Sequence, residues 1–197
     1  MPSNSKTPLR AEIRRRLEKM APEQRAGGSL RACSLLEKQR VWQRAQSILF
    51  YAPMRLEIDI WPLLRDSLAA GKRAALPRFD VRSQQYDACV IRNLPHDLVA
   101  GQFGIREPAQ HCSSLEMEQF ELVLVPGVAF DRQGRRLGRG KGFYDRLLSG
   151  AESKACGVAF DEQLVEKIPV EAHDRRVQWL LTPTQWIEFP AICNPEG

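Results

Sequence analysis

From Val125 to Arg146 the chain reads Val-Pro-Gly-Val-Ala-Phe-Asp-Arg-Gln-Gly-Arg-Arg-Leu-Gly-Arg-Gly-Lys-Gly-Phe-Tyr-Asp-Arg. Gly134, Gly138, Gly140 and Gly142 are interleaved there with Arg135, Arg136, Arg139 and Lys141. Glycine lets backbone N–H groups come close to an anion, and the cations supply charge. The apolar run Leu122-Val-Leu-Val125 reads as a buried strand, which Pro126-Gly127 ends. Phe143 to Leu148 reads as the start of a helix whose first N–H groups face the same loop. Strand, glycine-rich basic loop and helix outline a phosphate site. Neither common phosphate loop fits. Gly140-Lys141 is followed by Gly142 rather than Ser or Thr, and Arg135 stands where the first glycine of a Walker loop belongs. The spacing Gly138-x-Gly140-x-Gly142 is not the dinucleotide pattern either. As bare residues the segment is a nonstandard anion loop or a solvated basic turn. So many arginines beside glycines favour the loop.

Read together, several segments resemble the 5-formyltetrahydrofolate cyclo-ligase (methenyltetrahydrofolate synthetase) family. Pro126-Gly-Val-Ala-Phe-Asp131 and Gly134-Arg-Arg-Leu-Gly-Arg-Gly-Lys-Gly-Phe-Tyr-Asp-Arg146 match its signature, with Phe143 where tyrosine is usual. Lys6-x-x-Leu9-Arg10, Tyr51-Ala-Pro53 followed by Glu57-Ile-Asp59, and Leu76-Pro77-Arg78 are similar to further landmarks. So are Gly104-Ile-Arg-Glu-Pro108 and Ile168-Pro-Val-Glu-Ala-His-Asp174, so the resemblance spans nearly the whole chain. Gln178 and Pro183 depart from it, standing where an acidic residue is usual.

The resemblance implies an ATP-dependent cyclisation of 5-formyltetrahydrofolate to 5,10-methenyltetrahydrofolate, with magnesium as cofactor. It assigns ATP to Lys6, Arg10, Arg136, Gly138, Arg139, Gly140, Lys141, Gly142, Phe143 and Tyr144, with Arg139, Lys141 and Tyr144 in catalysis. On residue types alone, Lys6 and Arg10 are surface charges at a helix start, and Tyr144 equally packs under a helix. Glu57 is implied to bind the pterin donors, for which a carboxylate is a natural partner. Phe79 and Phe103 would stack on the folate ring or pack in the core. Asp145 and Asp174 are the candidate metal ligands, since magnesium favours a few carboxylates with phosphates and waters. Asp145 otherwise serves as an anion in a helix's first turn, and Asp174 as a loop turn or a partner of Arg175 or Arg176. His96, His111 and His173 show no ligand spacing.

The elements that must position these residues follow from periodicity. Thr7-Pro8 reads as N-cap and first helical residue, and Leu9, Ile13, Leu17 and Met20 recur at helical spacing. A second helix is expected from Glu23 to about Val41, weakened by Gly27-Gly28. Strands are expected at Ser47 to Ala52, Lys72 to Leu76 (stopped by Pro77), Tyr86 to Ile91, Glu121 to Val125, Lys154 to Phe160 and Val177 to Leu181. Asp59 is expected to cap a helix that Gly71 ends. Residues 93–118 read as mostly irregular. Strands alternating with helices give an α/β fold, a three-layer sandwich with a mainly parallel sheet. The resemblance places that fold in the ribose-5-phosphate isomerase/CoA-transferase-like group. The segments after three strands, at Pro53 to Asp59, Pro77 to Asp80 and Pro126 to Lys141, would converge on one cleft.

At 197 residues the chain reads as one domain, residues 1–197. No apolar run has membrane-spanning length and the start has no signal core, so a cytoplasmic protein is expected, without a membrane partner. Five cysteines without a Cys-x-x-Cys pair read as reduced thiols. The net charge of +5 suits an anionic partner. Its cations cluster at the first helix and the glycine loop, without interleaved stacking aromatics. That favours ATP and folate polyglutamates over nucleic acid. A monomer is expected. A folate- or nucleotide-binding homologue without turnover is the alternative, against which the intact glycine loop and Glu57 argue.

Overall fold

The computed structural model describes residues 6–101, 104–140, 142–148, 151, 154–169, 171 and 174–190. The helices are α1 (Lys6–Lys19), α2 (Pro22–Glu37), α3 (Arg40–Arg44), α4 (Trp61–Ala69), α5 (Leu94–Asp97) and α6 (Phe143–Leu147). The strands are β1 (Ser47–Leu49), β2 (Arg73–Asp80), β3 (Gln85–Ile91), β4 (Leu98–Ala100), β5 (Arg106–Pro108), β6 (Ser114–Leu115) and β7 (Leu122–Pro126). They continue with β8 (Ala129–Asp131), β9 (Arg136–Leu137), β10 (Ala155–Val158), β11 (Leu164–Val165), β12 (Trp179–Leu181) and β13 (Trp186–Glu188).

The main sheet has the order β13-β12-β10-β7-β1-β2-β3-β6. Its middle, β12-β10-β7-β1-β2, is parallel, and antiparallel strands close both edges. Because side chains alternate along a strand, the sheet separates two cores. Ile48, Ala74, Leu76, Leu122, Leu124, Cys156 and Val158 share one core with Ile13, Leu17, Leu36, Trp42 and Leu63 of α1 to α4. Leu49, Ala75, Val123, Val125 and Ala155 face the other, with Leu147, Leu148, Phe120 and Phe189. The α/β sandwich with a mainly parallel sheet is therefore present, and four helices lie on one face.

The expected helical stripe on α1 is present, with Ile13 and Leu17 buried and Arg14 to Arg16 exposed. The cap is not: Thr7 is already inside a helix that includes Lys6. The second expected helix is two. Helix α2 runs unbroken through Gly27-Gly28, ends at Glu37, and gives way to an extended Gln39. A Cβ at Gly28 would stand 3.0 Å from the Phe160 ring, so glycine lets α2 pack close rather than breaking it. The turn lets Trp42 pack edge-on against Phe50, with ring centroids 6.1 Å apart.

Strand β2 does not stop at Pro77; it runs to Asp80. Within β2, strand β1 reaches only Arg73, Ala74 and Ala75, so Pro77 lies beyond it, where a missing N–H breaks no ladder bond. Residues 93–118 are more ordered than expected. They hold α5 and a β4–β5 hairpin in the register Leu98↔Pro108, Val99↔Glu107, Ala100↔Arg106. Asp59 accepts from the N–H of Trp61 at 3.0 Å, and Gly71 ends α4 at φ +75°. Gln178, one of the two departures from the resemblance, donates to the Phe189 carbonyl and so serves the β12–β13 edge.

Candidate functional site

Sequence reasoning missed the sheet inside the glycine-rich segment. Strands β8 and β9 pair antiparallel, and β11 joins β8 in parallel. Asp131 sits at the centre with no solvent exposure. Its Oδ1 accepts the N–H groups of Gln133 and Arg135 at 2.9 and 3.0 Å, and its Oδ2 accepts that of Ile168 at 3.1 Å. Gly134 completes the turn at φ +74°, where a Cβ would stand 2.7 Å from the Val177 carbonyl oxygen. The cations are thus presented by a braced hairpin rather than a loose loop. Asp131 in the segment Phe-Asp-x-x-Gly was the available signal, since aspartate before a glycine turn accepts local N–H groups.

The cleft lies beyond the carboxyl ends of the parallel strands, as α/β sheets favour. A cavity of about 300 Å³ is lined there by Ala52 after β1, Pro77 of β2, Pro126 at the end of β7 and Gly127 after it. Met54, Glu57, Tyr86, Ile105, Glu107, Arg136, Gly138, Arg139, Gly142 and Tyr144 complete its wall. The three segments expected to converge do so. Tyr86, Ile105 and Glu107 come from β3 and the β4–β5 hairpin; Ile105 and Glu107 lie in the Gly104–Pro108 landmark, but none of the three was assigned a site role from sequence.

Glu57 is 9% exposed as a side chain, and its Oε2 accepts the Met54 N–H at 2.9 Å. Its Oε1 meets Nη2 of Arg139 at 2.7 Å. The Arg139 side chain is 56% exposed. A fixed carboxylate thus faces a solvated guanidinium across the cavity. Arg136 is buried and lies 5.7 Å over the Tyr144 ring, with Nη1 3.5 Å from the Pro126 carbonyl. Burial, then the Glu57 charge, pushes the Tyr144 phenol well above its ordinary range, so it stays a neutral donor at physiological pH.

Helix α1 is tied to this wall. Nε of Arg10 donates to the Gly138 carbonyl at 2.9 Å, and a Cβ at Gly140 would stand 3.6 Å from the Arg10 guanidinium. Lys6, 8% exposed, binds Asp174 Oδ2 at 2.7 Å and Glu171 Oε2 at 3.1 Å. Burial opposes its charge, but the bonds to Asp174 and Glu171 outweigh that and raise its pKa. Asp174 Oδ2 also accepts the Glu171 N–H at 2.7 Å. The carboxylate in this corner is paired with Lys6, a contact the sequence reading did not include.

The structure brings Glu57, Arg136, Gly138, Arg139, Gly142 and Tyr144 to one cavity, with Arg10 and Gly140 behind the loop. Lys6 and Asp174 form the neighbouring corner. Phe79 is not in the cavity wall; it packs on Tyr86, 5.3 Å between ring centroids, and Tyr86 faces the cavity. Phe103, Lys141 and His173, and the side chains of Phe143 and Asp145, lie outside the described residues. Helix α6 is present but only five residues long, so hairpin and side chains dominate over a helix dipole.

The model of the 5-formyltetrahydrofolate cyclo-ligase family matches residues 2–183. A 5-formyltetrahydrofolate cyclo-ligase of Escherichia coli K12 is 31% identical, covering 90% of this chain and all of the relative. The mouse protein of the same description is 29% identical, over 91% of this chain and 94% of its own. A solved structure of 5,10-methenyltetrahydrofolate synthetase from Aquifex aeolicus superposes with a TM-score of 0.84 at 31% identity, covering 98% of this chain and 96% of that one. A synthetase structure from Mycoplasma pneumoniae, 18% identical, shares the fold at a TM-score of 0.72, over 91% of this chain and 99% of that one.

Proposed function

This chain belongs to the 5-formyltetrahydrofolate cyclo-ligase family, and from that premise we propose how its cleft performs the reaction. The protein is a ligase that closes 5-formyltetrahydrofolate to 5,10-methenyltetrahydrofolate. ATP activates the formyl oxygen: that oxygen attacks the γ-phosphorus, and ADP leaves. N10 then attacks the activated formyl carbon, the carbon–oxygen bond breaks, and phosphate departs with the former formyl oxygen. The protein's task is to align the oxygen with the phosphate, neutralise charge and exclude water.

The observation that carries the proposal is the Glu57–Arg139 pair across the cavity, 2.7 Å long. Glu57 is the buried, anchored partner, and Arg139 the exposed one able to move. The N–H donors of the pterin replace Arg139 on Glu57 Oε1, and the released guanidinium turns to the transferring phosphate. Folate binding and phosphate recognition are then coupled through one side chain. Arg136 holds charge near the wall, and Tyr144 donates as a neutral phenol. The N–H groups from Gly138 to Gly142, with Lys141 and Phe143, complete the phosphate cradle, and Lys6 and Arg10 reach it from α1. Phe79 supports Tyr86 against the folate ring, and Phe103 is assigned to that ring as well.

For magnesium, the Asp174 and Glu171 carboxylates beside Lys6 form an oxygen donor set of the kind a hard cation takes. Asp174 and Asp145 would hold the ion, and it would supply charge neutralisation at the phosphates. We further propose that residues 1–197 form one catalytic domain, monomeric and cytoplasmic, that accepts mono- and polyglutamates. Among the described residues no helix is long and apolar enough to cross a membrane.

Purified protein mixed with 5-formyltetrahydrofolate, ATP and magnesium is expected to raise the near-ultraviolet absorbance of the methenyl product. Product, ADP and phosphate should appear in equal amounts. Turnover without ATP consumption would overturn the mechanism. Substrate binding without turnover would favour an inactive homologue.

A further inference from the structure

The folate reaction makes no use of His96, Asp97 and His111, yet folding brings these three side chains together. Each offers a ligand atom, and the three atoms lie within 4.8 Å of one another. Asp97 ends α5. Its Oδ2 accepts the N–H groups of Arg92 and Asn93 at 2.7 and 2.9 Å. Its Oδ1 is directed at Nε2 of His111, 3.0 Å away. The turn that carries His111 is fixed to α5 by backbone. Ala109 N–H donates to the Asp97 carbonyl at 2.8 Å, and Cys112 N–H to the Ala109 carbonyl at 3.0 Å. The imidazoles of His96 and His111 are exposed, with ring centroids 6.2 Å apart.

We propose that His96, Asp97 and His111 form a binding site for a divalent first-row transition cation of the zinc type, with its remaining positions open to water. Two imidazoles and one carboxylate are a borderline nitrogen–oxygen set, suited to zinc, nickel and copper. Magnesium and calcium take oxygen ligands and are disfavoured here. A tetrahedral ion about 2.1 Å from each ligand sets ligand atoms about 3.4 Å apart. Rotation of the two solvent-facing rings would draw the wider separations in and open the 3.0 Å His111–Asp97 contact to that value. The ion takes the place of the hydrogen bond between His111 and Asp97. Asp97 needs no rearrangement, because the two N–H groups on Oδ2 already orient the carboxylate, as outer partners of metal ligands do. A bound ion would cross-link α5 to the turn after β5. It would thereby brace the base of the β4–β5 hairpin that carries Ile105 and Glu107 to the cavity.

The test uses the full chain, stripped by a chelator, with zinc titrated against a chromophoric zinc indicator and cobalt(II) followed by its visible absorbance. One equivalent of zinc is expected to bind. His96→Gln and His111→Gln should each weaken binding by about tenfold or more, since even loss of an outer partner costs about 10–100-fold. The double variant should bind no zinc. Circular dichroism and cyclo-ligase turnover of the zinc-free variants, expected to match those of the zinc-free parent, separate lost ligation from lost folding. Three results would overturn the site: no saturation at micromolar zinc, unchanged affinity in the double variant, or a thiolate-to-cobalt charge-transfer band that assigns the ion to cysteine. None of them bears on the folate reaction.

Discussion

Glu57 and Arg139 pair with each other in the cleft, and we propose a different substrate for each. Arg139→Ala is therefore expected to act on turnover rather than on folding. Loss of a transition-state phosphate contact lowers kcat by about a hundredfold or more, whereas removing an exposed charge changes stability within about 0.5 kcal/mol. Glu57→Gln should mainly raise the KM for folate, because the amide keeps the shape but loses the charged acceptor. The coupling between the two is read from a double-mutant cycle. If the effects on kcat/KM simply multiply, the two residues act independently and the exchange of partners is wrong. Lys6 belongs to the same scale: both side chains of its ion pair with Asp174 are largely buried.

At the scale of elements, the β8–β9 hairpin decides whether the cations point into the cleft. Asp131 satisfies three backbone N–H groups there from a site with no solvent exposure. Asp131→Ala would leave those donors buried without an acceptor, at about 1–3 kcal/mol for a group so stranded. The variant is expected to melt several degrees lower and to lose turnover even at temperatures where it stays folded. A melting curve unchanged from wild type would show that the hairpin is held by its strand pairing alone. Gly157 of β10 makes a related case. A Cβ there would stand 2.5 Å from the Phe130 ring of β8, so Gly157→Ala must displace that buried ring, next to Asp131 on the same strand. Its expected signature is a loss of stability of about 1–3 kcal/mol by denaturant midpoint, the usual cost of overpacking.

The whole molecule is basic, with a net charge of +5, and it buries four of its thiols. The first property bears on the substrate's tail. Exposed cations act over about 10 Å at moderate salt, whereas the Glu57 contact is short-ranged. A polyglutamate folate is expected to have a lower KM than the monoglutamate at low salt, with the gap narrowing as salt rises and kcat little changed. A gap that persists at high salt would remove the electrostatic account. The second property bears on pH. Burial, the main cause for each, pushes the Cys33 thiol up to about 12 and Cys89 to about 11. Below pH about 9 both thiols are protonated whether the chain is folded or not, and the stabilisation is complete. Above that pH the unfolded chain ionises and the folded chain does not, so stability falls as pH rises from about 9 towards the raised values. The urea midpoint is expected to be lower at pH 10 than at pH 7.5, with a smaller drop in a Cys33→Ala, Cys89→Ala variant. Equal midpoints at the two pH values would contradict it.

The sequence by itself determined the family, the α/β class and the segments that converge on the cleft. Those signals are local. Glycines alternating with cations, an apolar run before them and the helical stripe of Ile13 and Leu17 are all readable within a few turns of chain. Pro77 within a strand and the α2–α3 break were not readable, because each depends on what lies beside it: the short reach of β1 in one case, the seat of Trp42 in the other. Tertiary structure alone decided which charges meet. Glu57 and Arg139 are 82 residues apart, and Lys6 and Asp174 are 168 apart. No periodicity links such positions, since only the packing of helices and loops around the ends of the parallel strands brings them within reach. The same holds for His96, Asp97 and His111, whose proximity is made by the backbone bonds that fold the turn at Ala109 to Cys112 onto α5.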